Sequence, residues 1–558
     1  MSQQITYPGR AILSQWLHEL PAESQDVIVL ITGALDLPRL TLETLQDYLD
    51  ASIRALRDGG LLFIQGRPDY LPEVGVYLDQ HLTFKYWIAL ESQLHAKVSG
   101  LPSVHAAVLL FTKGNQRFNV RRVRFPHRYC AFCGRSLRDW GGKSHLMHPE
   151  GYVISDVWKD LPPADNYTRL SRPVLDTILR MVDFGDSHQV RGLVGPREGI
   201  EELTATRETA IQYVLPGLQG NPPPSSPAHD IDPHLVNVVH CGDALEILKR
   251  YPDNSIDLVF ADPPYNLDKR YNVYEDEQED TSYIAWCNAW LEEYVRILKP
   301  TGSLYVLNLP RWGMYHAAFL NQRLHFQNWI VWDAVSEPRG KLMPAHYALL
   351  FYTKHPYTFT FNYAAMREID ARCYCRRAGC VRQRKAAGHD EKEPLTDIWW
   401  DIYRIKHKRD RDYHPCQLPQ ALMERIIRLS TNPGDIVLDA MAGTGTTAIV
   451  AAQLGRRYVA IDIDEAYVNL TRQKLAAISQ GEYVRVTRTR KQPRPYTKKE
   501  LQLELRALAQ RLGRLPTPED VERMSRYKIE VFYEMFPTWG KALKAAKIDI
   551  RSISAQWC

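Results

Sequence analysis

The sequence predicts an α/β fold with a largely parallel sheet, present twice in the chain and followed by a small helical module. Three observations carry this reading. From about 237 to 480, short apolar runs of strand length alternate with helical stretches. Four stretches of the first half return, in the same order, in the second. After a basic, proline-broken run at 485–499 the pattern becomes short amphipathic helices.

In the second half, "NVVHCGDALEIL" reads as strand, turn and helix, and "SIDLVF" as the next, buried strand. "SYIAWCNAWLEEYVRIL" is a helix ended by "KPTG"; "SLYVLNL" and "HYALLFYT" are strands. Then come the helix "LPQALMERIIRLS", the strand-to-loop segment "DIVLDAMAG", the helix "TTAIVAAQLG" and the strand "RYVAIDID". In the first half, "GRAILSQWLHELPAESQDVIVLITGALDL" tracks "GDALEILKRYPDNSIDLVFADPPYNL", and "YLDASIRALRDGGLLFIQGRPDYL" tracks "WLEEYVRILKPTGSLYVLNLPRWG". "VHAAVLLFTKGNQRFN" likewise tracks "AHYALLFYTKHPYTFTFN", and "ISDVWKDL" tracks "LTDIWWDI". The domains expected are therefore 1–230, 237–480, a basic linker at 485–499, and a helical module at 500–558.

Composition excludes several classes. A chain of 558 residues exceeds one core, and its 45% hydrophobic and 24% charged content is that of a globular protein. No apolar run approaches the roughly 20 residues that span a bilayer. The opening "MSQQITYPGR" has no basic region leading into an apolar core, and nine cysteines, several closely paired, suit a reducing compartment. A cytoplasmic protein without membrane contact is expected. Net charge is only +5, but "RIKHKRDR" (404–411) and the 485–499 run concentrate positive charge.

The chemistry sits at two strand ends. "SIDLVF" runs into Asp262-Pro263-Pro264-Tyr265; proline cannot donate to a ladder, so the strand must stop at Asp262. "VLDAMAGTGTT" runs from a strand into Gly443 and Gly445 and opens a helix, which brings bare backbone amides to a ligand. Some twenty residues later Asp462 ends a strand, placed to take ribose hydroxyls. The loop lacks the third glycine of dinucleotide sites and follows Asp439, which favours S-adenosylmethionine over a nicotinamide cofactor.

Together these features resemble the amino-methyltransferases of DNA, in the β-class order that places the Pro-Pro-Tyr box before the glycine loop. "HCGDALEIL" resembles that class's Gly-Asp block and "HPCQLP" (414–419) its His-Pro-x-Gln-x-Pro block, so the resemblance covers roughly 237–480. It implies a Rossmann-like S-adenosylmethionine-dependent methyltransferase fold. It further implies cofactor contacts from Asp243, His414, Gln417, Asp439, Met441, Gly443, Gly445, Thr446, Thr447 and Asp462. Ala440-Met441 departs from the family's usual Pro-Phe, and Met packs more loosely there. By the same resemblance, Asp262 and the Pro263 carbonyl accept from an exocyclic amine and push its nitrogen towards tetrahedral geometry. The prolines hold that carbonyl rigid. Tyr265 offers a face to a base extruded from double-stranded DNA. Asp-Pro-Pro-Tyr is the commoner box among adenine-N6 enzymes, with cytosine-N4 as the alternative. A non-catalytic DNA-binding accessory protein with a vestigial fold is the reading from another class. A homodimer, or a pseudo-dimer within one chain, is compatible with the repeat; a companion nuclease is not legible.

The first half has lost this chemistry, because Ile31-Thr32-Gly33-Ala34 falls where Asp262–Tyr265 would be and "LVGPREG" (193–199) is a remnant of the glycine loop. Its insert, about 127–150, carries Cys130 and Cys133 followed by His145 and His148, a Cys2His2 set suited to structural zinc. The second half offers Cys373, Cys375, Cys380 and His389 as a weaker second site in an insert at about 363–412. Both inserts lie where β-class enzymes read their target. Arg376, Arg377, Arg382, Arg384 and Lys385 would attract phosphates there. The tail, with Gly513, Pro516, a Thr517 helix cap, Phe536, Trp539 and Ala542, resembles the helical repeat attached to homing endonucleases and adds DNA affinity.

Overall fold

In a computed structural model, the protein divides into two compact units, Met1–Thr487 and Arg488–Cys558. The structure describes residues 5–548 apart from 10–11, 115–119, 138–146, 185–192, 202–230, 268–277, 335–340, 406–416, 485–497 and five isolated positions. His145, His414 and most of both basic runs lie outside the described residues. No described helix is long and apolar enough to cross a membrane.

The second half builds an eight-stranded sheet in the order Val238–Cys241, Arg457–Asp462, Ile436–Asp439, Ile256–Ala261, Leu298–Asn308, His346–Thr353, His325–Asp333, Ile398–Trp399. The first five strands run parallel, and His346–Thr353 is antiparallel to both its neighbours. Strands buried on both faces read as continuous apolar runs, which is why "SIDLVF" shows no alternation. Helices Asp280–Ile297 and Pro310–Leu320 bury the aromatics Tyr283, Trp290, Tyr294 and Trp312.

The first half repeats this topology. Its seven strands run Ile5–Thr6, Leu193–Val194, Gln25–Ile31, Leu56–Gly66, Ser103–Thr112, Thr83–His95, Val157–Trp158. Leu193–Val194 flanks Gln25–Ile31 as Ile436–Asp439 flanks Ile256–Ala261. Ile5–Thr6 pairs directly with Leu193–Val194, so among the described residues the counterpart of Arg457–Asp462 is missing.

The two halves are not separate bodies. They meet across a pseudo-twofold relation in which the central contacts come in matched pairs. Trp87 and Trp329 stack at 3.8 Å, interplanar 10°. Trp87 Nε1 donates to His105 Nε2 (3.2 Å) and Trp329 Nε1 to His346 Nε2 (3.0 Å). The carboxylate of Asp397 accepts from the N–H groups of Val104 and His105, and that of Asp156 from Ala345 and His346. Helices Leu71–Asp79 and Pro310–Leu320 cross so closely that a Cβ on Gly75 would stand 2.3 Å from Met314 Sδ. One apolar core runs through both halves, from Leu13 to Ile461.

The C-terminal unit packs Lys498–Leu512, Pro518–Met524, Ile529–Met535 and Trp539–Ala546 around Leu505, Leu508, Phe532 and Phe536. Gly513 at φ +64° ends the first helix, and Thr517 caps the second in a capping box with Asp520. Trp539 Nε1 donates to the Pro516 carbonyl.

Candidate active site

Asp262 follows the strand Ile256–Ala261 directly, and Phe260 pairs with Asp439 on the adjacent strand. From these neighbours the chain leaves in opposite directions across the sheet, one towards Leu298–Asn308 and the other towards Arg457–Asp462. Such a switch point opens a crevice at the carboxyl ends of the strands. One cavity there is lined by Gly242, Asp243, Asp262, Pro263, Pro264, Gln417, Asp439, Met441, Gly443, Thr446, Thr447 and Asp462. The structure thus brings together eleven of the fourteen residues expected at the box and the cofactor; Tyr265 and Gly445 do not line the cavity, and His414 lies outside the described residues.

The box is held from behind. Tyr283 donates its hydroxyl to the Pro264 carbonyl (2.6 Å), and Trp312 Nε1 donates to the Tyr265 carbonyl (2.9 Å). Asn308 Nδ2 in turn donates to the Tyr283 hydroxyl (3.1 Å) and lies 3.0 Å from His316 Nε2. With φ fixed in both prolines, these bonds leave the Asp262–Pro263 segment little freedom. The Tyr265 hydroxyl donates to Asp262 Oδ1 (2.6 Å), and the ring, 3% exposed, lies beside Tyr347. In this arrangement Tyr265 braces the carboxylate rather than presenting an open face.

The loop is shaped by its own acids. Asp439 accepts from the Met441 N–H (3.0 Å) and the Thr447 hydroxyl (2.5 Å). Asp462 accepts from the N–H groups of Gly443 (2.7 Å) and Asp464 (2.8 Å). Burial pushes both carboxyls up to about 6 against these hydrogen bonds. Gly443 sits at φ +51° and Gly445 at φ +75°, where a Cβ would stand 2.3 Å from Thr471 Cγ2. Asp462, partly buried, with two main-chain donors and a face on the cavity, still has acceptor capacity, the chemistry that a ribose diol matches. Asp243 caps Ala244–Leu248 through the Glu246 N–H (3.1 Å) while lining the same cavity.

Sequence reasoning missed Trp286, Trp290, Ile463, Asp464 and Tyr467 on the cavity wall, and Tyr283, Asn308 and Trp312 behind the box. Ile463, Asp464 and Tyr467 follow Asp462 so closely that the strand end could have found them, whereas the helical aromatics read as ordinary core.

In the first half the corresponding place is filled. A Cβ on Gly33 would stand 2.4 Å from the Tyr167 carbonyl oxygen. Gln65 Nε2 ties down the carbonyls of Asn166 (2.6 Å) and Tyr167 (3.0 Å) over it.

The cysteines assemble differently from the sets expected. Cys130 and Cys133 face Cys375 and Cys380 of the other half, not His148, which is half-exposed with Nδ1 beside Glu150. Cys373 gives its carbonyl to Ala131 N–H, and His389 lies beside Glu391 and the Phe132 ring. The pseudo-twofold contact lays one insert against the other, so partners come from across it rather than along the chain. The expected phosphate-binding Arg384 is 1% exposed, bound to Asp370, and Arg376 pairs with Asp401. Arg382 and Lys385 are exposed.

The DNA methylase family profile matches residues 256–473, and the homing-endonuclease-associated repeat matches 496–549. The chain is 38% identical over 242 residues to the type II methyltransferase M.BamHI of Bacillus amyloliquefaciens (42% of this chain, 56% of that one). It is 35% identical to M.HpaI of Haemophilus parainfluenzae over 42% of this chain and 73% of that one. Against the DNA adenine methyltransferase YhdJ of Escherichia coli K12 it is 32% identical, over 43% and 83%. The chain thus spans little more than half the length of the first of these relatives. The solved PvuII DNA methyltransferase, cytosine-N4-specific, is similar at 18% identity over 44% of this chain and 93% of that one, with a TM-score of 0.32. With the box, the loop and the strand-end acid gathered in one crevice, and relatives covered over most of their length, the chain belongs to the N6/N4 family of DNA methylases.

Proposed function

We propose that the second half transfers a methyl group from S-adenosylmethionine to the exocyclic N6 of an adenine turned out of double-stranded DNA. The observation that carries this reading is the single crevice shared by Asp262-Pro263-Pro264, the glycine loop after Asp439 and Asp462 at the end of the next strand. An aromatic amine is a poor nucleophile because its lone pair is delocalised into the ring. Asp262 and the Pro263 carbonyl would each accept one N–H, favouring the tetrahedral nitrogen whose lone pair can attack. S-adenosylmethionine supplies the electrophilic methyl when bound; Asp462 would hold its ribose and the Gly443 loop its backbone-facing side. Since both reactants are bound side by side, positioning carries much of the acceleration.

Entry of a base requires the Tyr265 ring to uncover, which breaks its hydroxyl bond to Asp262 and frees an acceptor for the amine. An aspartate as first residue of the box and the 32% identity to a DNA adenine methyltransferase both favour adenine. The likeness to type II methyltransferases supports a modification role in the cytoplasm, and the pseudo-dimeric body supports action without a second copy. The test is methyl transfer from labelled cofactor to unmethylated plasmid by the wild-type chain and by Asp262→Ala. Loss of transfer with cofactor binding retained supports the assignment; a variant as active as wild type overturns it.

A further inference from the structure

We infer that Cys130, Cys133, Cys375 and Cys380 form one tetrahedral zinc site that staples the insert of the first half to that of the second. The four sulfurs lie within 4.8 Å of one another. The separations across the two halves are 3.8 Å for Cys130–Cys380 and 3.6 Å for Cys133–Cys375. Four thiolates at about 2.3 Å from a tetrahedral zinc stand about 3.8 Å apart, whereas disulfide sulfurs stand about 2.05 Å apart. The two separations across the halves therefore match the edge of a metal tetrahedron, and no other exceeds 4.8 Å.

The backbone around it is built for thiolates. Cys130-Ala131-Phe132-Cys133 turns tightly, with Gly134 at φ +66° donating to the Cys130 carbonyl (2.9 Å) and the Cys130 N–H meeting the Arg135 carbonyl (2.8 Å). On the opposite side the Cys375 N–H donates to Cys130 Sγ (3.2 Å). Cys380 stands in the first turn of Ala378–Ala386, where unpaired amide groups favour a negative sulfur. Cys130, Cys375 and Cys380 are buried and Cys133 is partly buried, so the four sulfurs converge away from solvent.

Two further bonds cross at the same place, from Ala131 N–H to the Cys373 carbonyl and from Arg377 Nη2 to the Ser136 carbonyl. Each half contributes two ligands, so neither insert can close the site alone. The apolar cover is thin, only a small cluster including Tyr374 and Phe132, and a metal replaces the core that segments of this size cannot bury. The inference stands independently of the methyl-transfer chemistry.

The test is elemental analysis of the full-length chain purified without chelator, together with Cys375→Ser and with His145→Ala/His148→Ala. One zinc per chain is expected, lost in Cys375→Ser and kept in the double histidine variant. Loading the wild-type chain with cobalt(II) needs no variant to fold: an intense thiolate-to-cobalt charge-transfer band with tetrahedral d–d absorption is expected. Zinc kept by Cys375→Ser, zinc lost from the histidine variant, a disulfide found by mass spectrometry between these cysteines, or four thiols free with neither metal bound would each overturn the proposal.

Discussion

At the scale of single residues, the candidate chemistry rests on bonds that hold the box and the loop still. Tyr283→Phe removes the hydroxyl bond to the Pro264 carbonyl without opening a large cavity. Its expected effect is a fall in kcat of up to about 10²-fold with cofactor affinity unchanged. Asp262→Ala is expected to lower kcat by about 10²–10⁴-fold, because it deletes an acceptor for a proton on the attacking nitrogen. Cofactor affinity should also depend on pH. Burial raises Asp439 and Asp462 to about 6, so each holds its proton longer in the folded chain than in the unfolded one. The folded state without cofactor therefore loses stability as pH rises from 3.8 through about 6, and donors from a bound ribose recover it. Affinity measured by calorimetry is expected to strengthen from pH 5 to 7 and then level off; an affinity constant over that range would contradict the role given to Asp462.

At the scale of elements, the glycine loop and the terminal helices make separate demands. Gly445→Ala puts a side chain at φ +75° and against Thr471, a strain of roughly 1–3 kcal/mol before any repacking. A lowered Tm and weakened cofactor binding are expected together. Deleting the terminal unit Arg488–Cys558 removes a basic arm and is expected to flatten the salt dependence of DNA binding, read as the slope of log K against log salt. What was legible from sequence here was local. The box, the loop and the strand-end acid each lie within a dozen residues of chain, and Thr517 showed its cap. Tyr283, Asn308 and Trp312 were not legible, because a tyrosine or tryptophan on a buried helix face gives no sign that its polar atom reaches a proline-rich turn. The grouping of the cysteines was misjudged for a related reason: spacing along the chain suggests partners nearby, whereas Cys130 and Cys375 are brought together only by the fold.

At the scale of the molecule, the repeated topology of the two halves accounts for the matched contact surface between them. The collinear repeats foretold two sheets of one topology; they could not foretell that Trp87 and Trp329 would stack at the pseudo-axis. That stack, flanked by His105 and His346, makes the first half part of the body that supports the crevice. Trp329→Ala and Trp87→Ala are each expected to lower stability by about 3–5 kcal/mol, and the double variant by less than the sum, since the rings touch each other. Strict additivity in denaturant titrations would show that the halves fold without leaning on this contact. Among the described residues the place around Gly33 is filled, so the second-half crevice is expected to take one methyl acceptor per chain at a time.

The central claim is that this crevice methylates the N6 of adenine in DNA. Its most direct test is incubation of the full chain with S-adenosylmethionine and unmethylated plasmid, followed by digestion and mass spectrometry of the nucleosides. N6-methyladenine, absent when Asp262→Ala replaces the wild type, is the result predicted. N4-methylcytosine would contradict the choice of base while leaving the crevice its chemistry, and no methylated nucleoside would contradict the account itself.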